Sequence, residues 1–144
     1  VTGIDPIDRL TILAAALPGA AIGQRRLAAP FDDVWQVIEA LEENLPRYEP
    51  GLAHVHITER HGEFLRLQVH HTTGHEDSME ARLRPGWCLM QSPTVVVAFA
   101  ARPEGNETLL AHLEHRRTAP QPHATALAKI DKELRTIESL ARAT

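Results

Sequence analysis

The chain has 144 residues, 43% of them hydrophobic, 24% charged and 4% aromatic, and carries a formal net charge of -4 with histidine neutral. That length suits one domain, residues 1–144, able to bury a core without metal or disulfide, and a single cysteine, Cys88, excludes an intramolecular disulfide framework. The acidic balance argues against a nucleic-acid surface, and no apolar run approaches the ~20 residues that cross a bilayer, so the expectation is a cytoplasmic protein without a membrane span.

Arg9 to Leu17 reads as a short helix stopped by Pro18-Gly19, which makes residues 1–18 a helical extension of a body formed by 19–144. Ala20 to Ala28 is a weak strand, and Pro30 biases Ala29 toward extended backbone just before a helix. Val34, Trp35, Ile38, Leu41 and Leu45 then recur at helical spacing, with Asp32 and Asp33 in the first turn and Pro46 interrupting the pattern. Leu52–Arg60 and Glu63–Thr72 alternate with period two around His61-Gly62, a hairpin. Ser78–Arg84 and Trp87–Gln91 are further strands separated by Pro85-Gly86. Thr94–Arg102 is apolar on both faces, as a central strand covered on both sides would be. Pro103 to Asn106 marks a turn before the return strand Thr108–Arg117. Leu127, Ile130, Leu134, Ile137 and Ala141 recur at helical spacing through Ala124–Ala143, with Lys129 and Glu133 outside that stripe.

Strands that follow one another without crossover helices must be antiparallel. One long helix can cover only a single face of such a sheet. The expected fold is therefore α+β, a curved antiparallel sheet wrapped around the C-terminal helix, with a short extra helix at the N-terminus.

The stretch Leu27 to Ile38 (LAAPFDDVWQVI), the Tyr48-Glu49-Pro50-Gly51 segment and the late long helix together resemble the START/Bet v 1-like superfamily, the helix-grip fold that includes polyketide cyclases and dehydratases and lipid or hormone carriers. The resemblance implies an internal cavity between sheet and C-terminal helix that binds an apolar or amphipathic small molecule. Its alternatives are a cyclase- or dehydratase-type enzyme on a hydrophobic substrate, or a protein-interaction module without a ligand. Homodimerisation is the commonest oligomeric state, although no segment here locates an interface.

The expected cavity residues are Trp35, Met79, Trp87, Met90, Val97, Phe99, His112, Leu127, Ile130 and Leu134. Nine histidines make charge near neutral pH sensitive to environment. In the enzyme alternative His56, His70 or His112 would serve as base, with Arg82 stabilising negative charge. Those three imidazoles could converge from adjacent strands, but helical HExxH and paired-cysteine spacings are lacking, so neither metal nor cofactor is expected. Glu80 with Arg82 reads as a wall pair for a polar ligand group or, more often, as a surface pair worth little energy, and Cys88 as an inert buried thiol. His112, between Leu110 and Glu114, is expected to be at least partly buried, hydrogen-bonded and pointing into or beside the cavity.

Overall fold

The structure, a computed structural model, describes residues 3–143. Helix α1 spans Pro6–Ala15, strand β1 Ala21–Leu27, helices α2 and α3 Phe31–Glu39 and Leu41–Tyr48. Strands β2 to β7 follow as Leu52–His61, Phe64–His71, Glu76–Arg84, Trp87–Gln91, Val95–Glu104 and Glu107–Arg116, before α4 at His123–Arg142. The strands form one seven-stranded sheet in the order β1-β7-β6-β5-β4-β3-β2. All neighbours run antiparallel.

Local chemistry sets the boundaries, and three times it moves them from the expected places. Helix α1 starts three residues early because Asp5 caps it, accepting hydrogen bonds from the Ile7 and Asp8 amides at 2.8 and 3.3 Å, with Pro6 at the first helical position. Pro46 does not interrupt its helix; the break falls at Ala40, whose ψ of 68° separates α2 from α3. In so short a helix Pro46 forgoes only the bond to the Glu42 carbonyl, on an exposed turn. The turn expected at Pro103 to Asn106 also narrows, because Pro103 and Glu104 still pair with Thr108 and Glu107.

Two apolar layers lie on opposite faces of the sheet. The concave face carries Val55, Leu65, Leu67, Val69, Ala81, Met90, Phe99 and Leu110, packed against Trp35 and Ile38 of α2, Leu45 and Tyr48 of α3, and Ile130, Leu134 and Ile137 of α4. The convex face carries Trp87, Val96, Ala98, Ala100, Ala111 and Leu113, covered by Ile7 and Leu10 of α1. Strand β6 is apolar on both sides because both sides are covered. Close approach of α4 to β1 depends on Gly23, where an added Cβ would lie 2.9 Å from Ile130 Cγ2.

Gly86, in the β4–β5 turn, has φ of +82°, and a Cβ there would sit 2.9 Å from the Ala101 carbonyl oxygen. Gly62, in the β2–β3 turn, has φ of +59° and open space around it. A left-handed L-residue costs roughly 1–2 kcal/mol. Gly62→Ala should therefore lower unfolding stability by about that amount, and Gly86→Ala by clearly more, as read from urea unfolding midpoints of the two variants side by side.

Candidate functional site

Where the start of α4 passes the ends of α3 and β7, the concave layer turns polar. Lys129 of α4 donates to Glu49 Oε2 and Glu114 Oε2 at 2.8 Å each and to Glu133 Oε1 at 3.3 Å. His112, fully buried, places Nε2 3.0 Å from Glu114 Oε2 and 3.4 Å from Glu133 Oε1. Its Nδ1 lies 2.9 Å from the Ala98 carbonyl oxygen, which can only accept, so Nδ1 carries a proton. The imidazole stacks on Phe99, with centroids 4.0 Å apart and planes 5° from parallel, and the Tyr48 ring meets Phe99 edge-on at 5.7 Å.

Two carboxylate oxygens around one ring nitrogen require a proton between them. Burial alone would drive His112 neutral, yet hydrogen bonds to and charges on Glu114 and Glu133 outweigh it, and its pKa is pushed up to about 9. Burial would likewise raise Glu114, but His112 and Lys129 prevail and hold that carboxyl well below the usual range. For Glu133, burial is the largest influence and, against the pull of His112, lifts it to about 8, helped by Glu114 and Glu49. Burial opposes the Lys129 charge too, but its three carboxylates keep it above its ordinary value. Burial pushes the Cys88 thiol up to about 12, which leaves it a poor nucleophile at neutral pH. His112, Glu114 and Glu133 also offer three ligand atoms within 4.8 Å of one another, a set able to hold a cation, although the Lys129 ammonium already sits against both carboxylates.

A half-open cavity of about 470 Å³ adjoins this network. Leu45, Leu52, Val69, Met79, Met90, Val95 and Val97 form its apolar wall, Glu49, Glu114 and Lys129 its polar end. At its mouth stand Arg116 and the β3–β4 turn, where Asp77 is flanked by His71 and His75 at 3.0 Å each.

The expected residues fall in several places. Met79, Met90 and Val97 line the cavity. Trp35, Phe99, Ile130 and Leu134 lie in the surrounding core, and His112 stands one layer behind Glu114. Trp87 belongs to the opposite face, under α1, with the Arg9 guanidinium 4.6 Å from its ring, because strand alternation sends Cys88 and Met90 inward instead. Leu127 is 37% exposed, since the buried stripe of α4 runs through Ala126, Ile130, Glu133, Leu134 and Ile137. His56 and Arg82 are exposed on the convex face, Arg82 lying over Phe64, and half-buried His70 shares that face with its Nδ1 2.8 Å from Glu76. His56 and His70 pack at 5.4 Å, but four strand spacings separate β3 from β7, so His112 never meets them.

Sequence reasoning missed Glu49, Glu114, Lys129 and Glu133 as a unit. A signal existed at Glu133, which stands three residues after Ile130 and four before Ile137, on the apolar stripe itself.

No family model matches the sequence, and no curated protein matches it. Solved structures do. One from Thermus thermophilus superposes with a TM-score of 0.66 at 17% identity, covering 86% of this chain and 97% of that one. The Zhui aromatase/cyclase from a Streptomyces species gives 0.58 at 16%, covering 85% and 93%. A START superfamily protein from Mycobacterium smegmatis gives 0.56 at 16%, covering 86% and 94%. At such identities the likeness is one of fold.

Two outcomes follow for stability. His112 and Glu133 both hold protons more tightly folded than unfolded, so each contributes stability that is present at low pH and lost as pH rises through its folded value. Urea midpoints should therefore fall from pH 6 to pH 9, most steeply where the two windows overlap between about 6.5 and 8, and His112→Gln should flatten the fall. Tyr48 Oη is buried without a hydrogen-bond partner among the described residues. Because an unpaired buried hydroxyl costs about 1–3 kcal/mol, Tyr48→Phe should leave the urea midpoint unchanged or raise it.

Proposed function

We propose, from the premise that the chain has the START/Bet v 1-like helix-grip fold, that it binds an apolar or amphipathic small molecule between the concave face of its sheet and α4. The observation that carries this reading is the half-open cavity of about 470 Å³, with an apolar wall and a polar group at one end. That is the makeup of a small-molecule site, where apolar surface supplies affinity and a few polar atoms fix orientation. The fold alone would not select it, since one scaffold hosts many functions.

The alternative is catalysis of the cyclase or dehydratase kind, and the imidazole–carboxylate pair beside the cavity is what favours it. A general base works best with a pKa near the operating pH. Glu114, one of the two carboxylates lining the cavity, is held well below that. Glu133, lifted to about 8, is not among the lining residues, and His112 has both ring nitrogens engaged behind Glu114. The chemistry of these groups supports binding over proton transfer.

Binding of the neutral fluorophore N-phenylnaphthylamine tests the proposal. The protein should bind the probe, and Val97→Trp, which fills the cavity, should weaken binding at least tenfold while circular dichroism stays native. Equal probe binding by a natively folded Val97→Trp variant would overturn the cavity as the site.

A further inference from the structure

A lysine at the end of an apolar cavity suggests capture of a carboxylate or phosphate. Here the hydrogen-bond inventory points the other way. An ammonium has three hydrogens to donate, and Lys129 directs them at Glu49, Glu114 and Glu133. Both nitrogens of His112 are engaged as well, one by the Ala98 carbonyl and one by Glu114. Lys129 and His112 thus have no donor to spare.

The acceptors are not. Lys129 and His112 both converge on Glu114 Oε2, and Lys129 reaches Glu49 only through Oε2. No donor nitrogen among the described residues reaches Oε1 of either, and both residues line the cavity. At neutral pH Glu133, lifted to about 8, is largely protonated, so Glu49 and Glu114 already balance Lys129 and His112. An added acid would find no cation to spare there and would have to break an existing Lys129 contact. A hydroxyl or ammonium would instead find waiting acceptors in a partly desolvated place, where a charge-assisted bond is strong. At the mouth the imidazoles of His71 and His75 are turned to Asp77, while His115 also lines the cavity with a buried Nδ1 that has no hydrogen-bond partner among the described residues. Arg116 is the one arginine lining the cavity among the described residues, and it is exposed at the rim.

We propose that the polar end of this cavity selects ligands whose head group donates hydrogen bonds, an alcohol, phenol or ammonium, and discriminates against carboxylates. The inference rests on the cavity being the binding site. Its apolar requirement is met by Met79, Met90 and Val97, against which a chain or ring system would lie.

Three probes of one chain length separate the ideas: decylamine, decanol and decanoate, each competed against N-phenylnaphthylamine at neutral pH. Decylamine and decanol should bind at least tenfold more tightly than decanoate. Glu114→Gln should shrink the ratio of decylamine to decanoate affinity several-fold, and Glu49→Gln, at a less buried position, should do the same if Glu114→Gln fails to fold. Decanoate binding as tightly as the other two would overturn the selectivity while leaving the cavity reading intact. An unchanged ratio in folded variants would also overturn it. Failure of all three to displace the probe would defeat the cavity reading, and this inference with it.

Discussion

One ammonium shared among three carboxyl groups sets the position of everything around it. Lys129 lies on the first turns of α4, Glu49 caps the end of α3, and Glu114 lies near the end of β7. The hydrogen bonds among them tie three elements together. Burying charge is costly, and a buried pair is weak grounds for stability when compared with apolar packing, but removing one partner leaves an uncompensated charge at roughly 3–5 kcal/mol. The arrangement therefore specifies more than it stabilises. It also forms the polar end of the cavity, which Glu49, Glu114 and Lys129 line.

The rest of the molecule is arranged so that this polar group faces an apolar wall. Strands β6 and β7 present Phe99, Leu110 and His112 inward and Ala98, Ala100, Ala111 and Leu113 outward. Alanines on the outer side let α1 lie close on the sheet. The same helix leaves the convex surface of β2 to β4 uncovered, and there His54, His56 and Arg82 are exposed. A single sheet thus has one convex region that is core and another that is solvent-facing, depending on whether a helix crosses it.

Period-two alternation makes the strands legible in the sequence, since each strand has one face that must avoid water, and the register between them follows from short turns. The long helix is legible for the same reason at period 3.6. The cavity lining is legible only where a residue's face can be inferred, as with Met79, Met90 and Val97. Trp87 misleads because a large apolar side chain looks inward until the position of α1 is known. Leu127 misleads because one apolar residue at the start of a stripe fits either of two adjacent faces. The polar network is hidden for a deeper reason. Its members come from α3, β7 and α4, and a glutamate on an apolar stripe announces a partner without saying which strand supplies it.

The pairing of β1 with β7 has a consequence for how the chain reaches this state. Strands β2 to β7 form successive hairpins, each closing a short loop, so they can assemble by local steps. Ala21 pairs with Glu114 and Leu27 with Thr108, contacts that bring together distant parts of the chain. Closing so long a loop carries an entropic cost that grows with the logarithm of its length, and topologies with distant contacts fold more slowly than local ones. The β1–β7 seam is thus the kinetically demanding join of an otherwise local meander. It is also the seam on which α4 rests, through Gly23 and Ile130.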